Sequence, residues 1–358
     1  MNPIRVLVVD DSITIRKRLV EVLDADAGLQ VVGEASDGRE AIELCQELRP
    51  DAITMDMMLP VMTGLAATEY IMAYVPTPIL IVSSSTNRGE VFRTYDALAA
   101  GAVDVFEKPS RDEPLEKWDQ RLVSAVKMVA RIKVITHPRA RLGLSTGSRK
   151  LAHVLPETPK DARCRIVAIG ASTGGPGALV EILRHLPGEF PVPIVLVMHL
   201  GPAFAAPFAE WLDGLSTLRV RYAVDREQVP RGEPGCVILA PPDRHLVVQG
   251  QRLVLTNDPE RHSCRPSVDT LFESVAREYG SSAVGCLLTG MGRDGAEGLK
   301  AMRMAGGVTI AQDEASSVVF GMPREAIALD AAQRILSLDQ IASALNALCP
   351  ERQGRRNP

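Results

Sequence analysis

Short apolar runs alternate with amphipathic segments through the first 136 residues of the chain. Apolar runs bounded by turn residues are typical of buried strands, and apolar positions spaced by three or four residues are typical of helices. The predicted strands are Arg5–Val9, Val31–Ala35, Ala52–Met55, Ile79–Val82 and Val103–Phe106. Such β-α units form a parallel sheet with helices on both faces, and functional side chains lie at the carboxyl ends of its strands.

The same alternation returns from residue 163 to residue 349 and predicts a second α/β domain. Its predicted strands are Ile166–Ile169, Ile194–Met198, Cys236–Ala240, Ala283–Leu288 and Val308–Ala311, with a β-hairpin of Leu246–Val248 and Leu253–Thr256. Between the domains, residues 137–162 contain three prolines and several basic residues, which indicates a linker. Residues 350–358 are expected to form a disordered tail. The chain is thus predicted to contain two doubly wound domains, 1–136 and 163–349.

Composition narrows the class of protein. The net charge of −4 and the aromatic content of 4% argue against a nucleic-acid partner. The six cysteines are scattered without a Cys-x-x-Cys pair, which argues against a zinc module and predicts free thiols in a reducing cytosol. The chain shows no signal peptide and no apolar run near the roughly 20 residues of a membrane helix. A cytoplasmic protein without direct membrane insertion is therefore expected.

Polar side chains follow four of the five predicted strands of the first domain. These residues are Asp10, Asp11, Asp56, Ser83 and Lys108. In a parallel sheet they converge on one edge, where three carboxylates repel one another unless a cation such as Mg²⁺ binds. A hydroxyl and a lysine opposite them can hold a phosphoryl group, and Asp56 can then form an acyl phosphate. In the alternative structural interpretation, the aspartates cap the first helix and a loop.

These residues, with the motifs around them, resemble the receiver domain of response regulators. The matching segments are Val9-Asp10-Asp11-Ser12, Met55 to Pro60, Val82-Ser83-Ser84, Ala100-Gly101-Ala102 and Lys108-Pro109. The resemblance implies a flavodoxin-like fold and phosphorylation of Asp56. It implies Mg²⁺ bound by Asp10 or Asp11, Asp56 and the Met58 carbonyl, and a cis bond between residues 108 and 109. One departure is Val105, where the family usually has an aromatic switch residue, while Phe106 is expected to point to the other face.

A second constellation surrounds the segment from Gly170 to Gly175, which follows a predicted strand and precedes a predicted helix. A serine in such a glycine-rich turn can act as a nucleophile, although phosphate-binding loops have a similar composition. Ser172, His199 and Asp294 all follow predicted strands, as expected for a nucleophile, a base and an orienting carboxylate. Each residue alone also has a structural interpretation as a helix cap or a core histidine. The order Ser–His–Asp excludes an α/β-hydrolase, which runs Ser–Asp–His.

The second domain resembles the catalytic domain of chemotaxis protein-glutamate methylesterases. The matching segments include Ile169 to Pro176, His199 with Phe204 and Phe208-Ala209, Leu239 to Pro242, Arg265 to Asp269, Thr289 to Ala296, and Ala311 to Glu314. The resemblance implies a Rossmann-like serine hydrolase fold with Ser172 as nucleophile, His199 as base and Asp294 as orienter. It makes the backbone N–H groups of Thr173 and Met291 candidates for the oxyanion hole, and it implies no cofactor for hydrolysis. Met198 and Leu200 depart from the family's usual residues beside the histidine.

Together the two resemblances imply a phosphorylation-activated enzyme. It would hydrolyse glutamate methyl esters and deamidate glutamines on the cytoplasmic domains of methyl-accepting chemoreceptors, and a histidine kinase of the chemosensory system would supply the phosphoryl group. The unphosphorylated receiver is expected to cover the Ser172 cleft. Two alternatives stay open: a response regulator whose second domain only binds a partner, and a general small-molecule esterase. A transcription factor is disfavoured, because the second half has no basic recognition helix.

Overall fold

The structure is a computed structural model that describes residues 2–84, 88–109, 114–132, 134, 164–230 and 233–350. Contacts between Cα atoms divide the chain into two compact units, Met1–Arg149 and Lys150–Pro358, called here the N-terminal and C-terminal units. The predicted linker 137–162 and residues 351–358 of the predicted tail lie outside the described residues. The predicted domain limits therefore stay predictions.

The N-terminal unit is a five-stranded parallel sheet with the strand order β2-β1-β3-β4-β5. Its strands are β1 (Ile4–Val9), β2 (Leu29–Ala35), β3 (Ala52–Met55), β4 (Ile79–Ser83) and β5 (Asp104–Glu107). Its helices are α1 (Ile13–Asp24), α2 (Gly38–Leu48), α3 (Gly64–Tyr74), α4 (Arg88–Ala99) and α5 (Leu115–Val129). The order confirms the flavodoxin-like prediction, and the chain reverses direction across the sheet between β1 and β3, where ligands of such folds bind.

One face of this sheet packs against α5. Trp118 and Leu122 on that helix are buried, and the Phe106 ring lies 5.6 Å from the Trp118 ring. Phe106 therefore points into the core, as predicted, while its neighbour Val105 is only half-buried. Since burial of an aromatic side chain stabilises a fold by roughly 1.5–3 kcal/mol, Phe106 is held by packing.

The C-terminal unit contains a seven-stranded parallel sheet with the order β15-β14-β13-β6-β7-β10-β8. Its strands are β6 (Ile166–Ala171), β7 (Ile194–Met198), β8 (Arg219–Tyr222), β10 (Cys236–Leu239), β13 (Ala283–Leu287), β14 (Val308–Gln312) and β15 (Arg334–Leu336). Its helices are α6 (Gly175–His185), α7 (Pro202–Ala205), α8 (Phe208–Leu215), α9 (Val268–Tyr279), α10 (Ala296–Met304), α11 (Met322–Ala328) and α12 (Leu338–Leu348). The strands β8 and β15 were not predicted; they lie at the two edges, where exposed and charged residues interrupt the apolar pattern.

The predicted hairpin is present but belongs to a larger antiparallel sheet. Its strands β11 (His245–Gln249) and β12 (Arg252–Thr256) pair with each other, and β12 also pairs with the two-residue strand β9 (Glu227–Gln228). A strand this short has no readable periodicity, which is why the sequence alone did not predict it.

The prediction that all cysteines are free thiols is wrong for two of them. Cys164, just before β6, forms a disulfide with Cys349, just after α12. Cys45, Cys236 and Cys286 are free and buried, and Cys264 is free and half-buried. The disulfide joins residues 185 positions apart, so no local spacing motif could have revealed it.

Candidate functional site

The first site lies at the carboxyl edge of the N-terminal sheet. Asp10 follows β1 and Asp56 follows the neighbouring strand β3, and both carboxylates are almost fully buried. Lys108, just past β5, reaches both: its Nζ lies 2.9 Å from Asp10 Oδ2 and 3.1 Å from Asp56 Oδ1. Asp11 is exposed, yet its carboxylate lies within 4.8 Å of the other two. One ammonium thus faces three carboxylates, which leaves the pocket negative.

This pocket fits a hard divalent cation such as Mg²⁺. Burial raises the pKa of Asp56; the Lys108 ammonium counteracts this in part, and the Asp10 carboxylate adds to it. Burial opposes the charge of Lys108 as well, but the two carboxylates outweigh it and raise the pKa of the ammonium. Asp10 Oδ2 is buried and makes no hydrogen bond of good geometry, although it lies at ion-pair distance from Lys108. A buried carboxylate oxygen of this kind is a ligand that Mg²⁺ accepts.

The N-cap of the first helix is not an aspartate, and Asp56 Oδ1, which faces Lys108, also accepts from the Met57 N–H at 2.8 Å. The N-cap of α1 is Ser12, whose hydroxyl accepts from the Ile15 N–H, and Asp10 Oδ1 accepts from the Ser12 N–H at 2.9 Å.

The Met58 side chain is partly exposed and lies near Arg93, with 3.0 Å between Arg93 Nη1 and Met58 Sδ. The bond between Lys108 and Pro109 is trans, contrary to prediction; Arg265–Pro266 is the one cis bond among the described residues.

Ser83 is placed as predicted, at the end of β4, but its hydroxyl is already bonded elsewhere. It donates to the buried Glu90 of α4, with 2.8 Å between Oγ and Oε1. The same carboxylate accepts from the Ser84 N–H at 2.9 Å, and the Thr94 hydroxyl donates to Ser83 Oγ at 3.2 Å. Glu90 is not among the predicted site residues, because it lies in a helix seven positions beyond the strand end and matches no spacing motif.

The second site begins at the turn that joins β6 to α6. The Ser172 N–H donates to the Thr289 carbonyl at 3.0 Å, and the Ser172 carbonyl accepts from the Gly175 N–H at 2.7 Å. Gly174 has a φ of 77°, and a Cβ there would lie 2.5 Å from the Val318 Cβ. The turn therefore requires glycine, and it sets a half-buried serine at the N-terminus of an eleven-residue helix. This position favours developing negative charge.

His199 leaves the sheet beside Ser172. The strands β6 and β7 are paired so that Ala171 faces Met198, and the His199 N–H continues this ladder by donating to the Ala171 carbonyl at 3.0 Å. Paired strands lie about 4.8 Å apart, so the next residues, Ser172 and His199, are neighbours. No hydrogen bond joins their side chains among the described residues; such bonds are often loose without substrate.

Asp294 is the buried partner of the His199 ring. Its Oδ2 lies 2.9 Å from His199 Nε2, at ion-pair distance although the ring nitrogen makes no hydrogen bond of good geometry. The carboxylate also accepts from the Ser267 hydroxyl at 2.8 Å and from the N–H groups of Val268 at 2.7 Å and Asp269 at 3.1 Å. Burial opposes its charge, but His199, Ser267 and Val268 together lower the pKa of Asp294.

This arrangement revises the cap interpretation of Asp294. The N-cap of α10 is Gly295, which forms no side-chain cap, so Asp294 does not cap the helix that follows it in sequence. It accepts instead from the first-turn amides of α9, a helix that precedes it in sequence. The dipole of α9 favours this negative charge and keeps the carboxylate ionised beside His199.

The two oxyanion candidates flank the serine turn. Thr289 fixes the first of them: its hydroxyl donates to the Thr173 carbonyl at 2.9 Å and accepts from the Val319 N–H at 2.9 Å. Met291 is partly exposed on the following loop. Within the described ranges, neither the Thr173 nor the Met291 N–H has a hydrogen-bond acceptor, so both remain available to an oxyanion. Thr289 is not among the predicted site residues.

Sequence reasoning also missed Cys264. This half-buried thiol lies just before α9, with its Sγ 3.8 Å from His199 Nδ1. Burial lowers the pKa of His199, but Asp294 and Cys264 outweigh this and raise it to about 9.

Met198, which departs from the family pattern, is buried, and its Sδ lies 2.6 Å from the position that a Cβ on Gly175 would occupy. Its role in the structure is thus to pack beneath the serine turn.

Comparisons with known proteins agree with these observations. Residues 6–118 match the family model of the response regulator receiver domain, and residues 167–345 match that of the CheB methylesterase. A protein-glutamate methylesterase/protein-glutamine glutaminase of Nitrosospira multiformis is 44% identical over 352 residues and covers 98% of both chains. A second protein so named, from Anaeromyxobacter dehalogenans, is 43% identical and covers 97% of both chains. Among the described residues, no helix combines the length and apolar character needed to span a bilayer.

Solved structures are similar to each half. The crystal structure of the Thermotoga maritima CheB methylesterase catalytic domain is 39% identical, covering 52% of this chain and 98% of that one with a TM-score of 0.49. The response regulator domain of Thermotoga maritima CheB is 39% identical over 37% of this chain and 99% of that one, with a TM-score of 0.34. With the relatives matched over nearly their whole length, the chain belongs to the protein-glutamate methylesterase/protein-glutamine glutaminase family and joins a receiver domain to a CheB methylesterase domain.

Proposed function

We propose that this chain is a phosphorylation-activated serine hydrolase that removes methyl groups from glutamate methyl esters of chemoreceptors and deamidates receptor glutamines. The observation that carries the proposal is the β6–β7 register, which makes Ser172 and His199 neighbours, together with the 2.9 Å contact of His199 with the buried Asp294. Family membership supports the substrate class, since the relatives are named for these activities.

In this mechanism the Ser172 hydroxyl attacks the ester carbonyl. The ring nitrogen of His199 that does not face Asp294 accepts the hydroxyl proton and returns it to the leaving methanol. Asp294 stays ionised and holds the imidazolium, which its lowered pKa supports. The Thr173 and Met291 N–H groups stabilise the oxyanion, and water then hydrolyses the acyl-enzyme. No cofactor takes part in these steps.

Control of this reaction is assigned to the N-terminal unit. Asp56 receives a phosphoryl group from a histidine kinase of the chemosensory system, and Lys108 and Ser83 bind its oxygens. Asp10, Asp11, Asp56 and the Met58 carbonyl would hold Mg²⁺, which when bound neutralises charge on the transferred group. The fit of the acidic pocket to a hard cation supports this assignment. A cytoplasmic location follows from such partners and stays a prediction.

The test is methanol release from methylated receptor, measured with and without a small-molecule phosphodonor. The wild type should release methanol and do so faster with phosphodonor. Ser172→Ala should abolish release while Asp56 is still phosphorylated, and Asp56→Ala should keep basal release but lose the stimulation. Full activity in Ser172→Ala would rule out the nucleophile, and stimulation in Asp56→Ala would rule out the regulatory site.

The same assay separates the two alternatives. A C-terminal unit that only binds a partner would release no methanol under either condition. A general esterase would turn over a generic ester without any response to the phosphodonor.

A further inference from the structure

One loop of the C-terminal unit contacts both charged members of the candidate triad. It consists of residues 259–267, lies between β12 and α9, and is called here the 259–267 loop. Its Cys264 Sγ lies 3.8 Å from His199 Nδ1, and its Ser267 hydroxyl donates to Asp294 Oδ1 at 2.8 Å. A movement of this loop would therefore change the surroundings of both the base and its orienting carboxylate.

A buried histidine outside the triad joins the two ends of the 259–267 loop. His245, the first residue of β11, is 1% exposed. Its Nδ1 accepts from the Ser267 N–H at 3.1 Å, and its Nε2 lies 3.2 Å from the Pro259 carbonyl oxygen. Because an amide N–H can only donate and a carbonyl can only accept, the ring is neutral and carries its proton on Nε2. Both ring nitrogens of His245 thus hold the loop.

We propose that His245 is a positioning residue, which holds the 259–267 loop closed and so keeps His199 and Asp294 in their working orientation. The proposal deepens the proposed function and rests on it. The hydrogen bonds of the His245 ring go to the loop and not to the triad, so its effect on the reaction passes through the loop.

The loop needs to be held because its middle is strained. Arg261 and Cys264 pair as an isolated antiparallel bridge, and the two residues between them, His262 and Ser263, have φ values of 53° and 59°. Residues other than glycine rarely adopt this left-handed backbone, and they keep it only where surrounding contacts hold them. Such a turn is expected to relax once an end of the loop is released.

The other side-chain contacts of the loop are ion pairs of its middle residues. They join Arg261 to Glu273 and Glu297, His262 to Asp269, and Arg265 to Asp243. Apart from Asp269, these carboxylates are partly or largely exposed, and ion pairs of that kind contribute little to stability. The bond between His245 and Ser267 is buried, so its loss leaves an interior N–H without an acceptor, in the residue whose hydroxyl holds Asp294.

Release of the loop should have a specific signature at His199. Asp294 and Cys264 are the two groups that raise the pKa of the His199 ring, while burial lowers it. When the loop opens, Cys264 moves away and Asp294 loses the Ser267 hydroxyl, so the imidazolium loses support and its pKa falls. The pH at which kcat/KM levels off should fall with it, and kcat should fall because the ring is less well oriented.

The test uses the full-length protein and methanol release from methylated receptor over a range of pH, corrected for release without enzyme. His245→Leu removes both ring bonds and should lower kcat at least about tenfold, with a plateau of kcat/KM at least about one pH unit lower. His245→Asn keeps an acceptor for the Ser267 N–H and should recover most of kcat, whereas His245→Gln keeps only the donor to Pro259 and should not. The matched control Val248→Ala removes buried volume from the same strand and should lower stability in urea without moving the pH profile.

Wild-type kcat and pH profile in His245→Leu would overturn the proposal, and so would the same change of profile in Val248→Ala. If His245→Leu does not fold, the comparison of His245→Asn with His245→Gln decides, and equal rates and profiles in these two would also overturn it. The His199 ring is titrated by NMR in the same variants without substrate. A lowered His199 pKa in His245→Leu or His245→Gln, in a chain that releases no methanol, would uphold the positioning role and refute the proposed hydrolase.

Discussion

The two candidate sites are built on the same plan but differ in how their charges are held. Both lie at the carboxyl edge of a parallel sheet, on neighbouring strands. In the N-terminal unit, Asp10 and Asp56 directly follow their strands and share one ammonium, that of Lys108. In the C-terminal unit, Asp294 lies seven positions beyond the end of β13 and is held by the first turn of α9. In both sites the strand order therefore determines which residues lie close together. Only in the second site does the start of a helix also orient the carboxylate.

The electrostatic consequences also differ. The acidic pocket is short of positive charge, since burial and Asp10 raise the pKa of Asp56 despite Lys108. The second site is well compensated, because hydrogen bonds lower the pKa of Asp294 and that carboxylate supports a charged His199. The first site is thus arranged to receive a cation, and the second to stabilise the charged imidazole of its own His199.

The largest expected effect tests orientation in the second site. Asp294→Asn removes the charge beside His199 and should lower kcat for methanol release by roughly 10⁴, as the loss of an orienting aspartate does in serine proteases. Asp56 phosphorylation should be unchanged, because that site lies in the other unit. Ser267→Ala, which removes one of three hydrogen bonds to the carboxylate, should cost much less. If kcat of Asp294→Asn stayed near the wild-type value, the Asp294 carboxylate would not be needed to orient His199, and the prediction would be wrong.

The next prediction tests whether the first site has too little positive charge for its carboxylates. Lys108→Ala leaves buried carboxylates without their ammonium and should lower the free energy of unfolding of the N-terminal unit by about 3 kcal/mol at neutral pH. Added Mg²⁺ should restore part of this loss, because the pocket accepts a cation. Urea unfolding with and without Mg²⁺ measures both, with the exposed Lys117→Ala as control. Equal stability of the two variants would contradict the prediction.

The pH dependence of hydrolysis tests the charge of His199. Its pKa is raised to about 9, and only the neutral imidazole accepts a proton, so kcat/KM should rise about tenfold per pH unit and level off above about pH 9. The raised pKa also stabilises the folded state below the unfolded value of about 6.5, and this contribution is lost as pH rises through about 9. A profile of kcat/KM that levels off near pH 6.5 would show that the pKa of His199 is not raised in the free enzyme.

The smallest expected effect concerns Ser83. Glu90→Ala removes the acceptor of the Ser83 hydroxyl, which can then turn to the phosphoryl group on Asp56. A hydrogen bond of this kind contributes about 1 kcal/mol, so the lifetime of the aspartyl phosphate should change by a few-fold. Phosphate release after removal of the phosphodonor measures it, and the exposed Glu43→Gln is the control. An unchanged lifetime would mean that Glu90 does not compete with the phosphoryl group.

Prediction from sequence succeeded where a residue's role depends on its place in a repeating unit. The β-α alternation places Asp10 and Asp56 at the ends of two strands of the N-terminal unit. In the same way it places Ser172 and His199 at the ends of two strands of the C-terminal unit, and in each unit the two strands are neighbours. Prediction failed where a residue's partner lies far away along the chain or inside a helix, and where a strand is very short. Glu90 acts from inside a helix, and β9 has two residues. Cys164 and Cys349 pair across 185 positions.

By itself the sequence determined the two α/β units, the strand-end residues and the family resemblance, because hydrophobic periodicity and strand-end placement are local properties of the chain. Only the tertiary structure decided that Asp294 is held by α9, that Ser83 is bonded to Glu90, and that Cys264 lies 3.8 Å from His199. These contacts join side chains from different elements, and their geometry depends on how the helices pack on the sheet. Packing brings distant residues within hydrogen-bond or ligand distance, and no spacing in the chain specifies it.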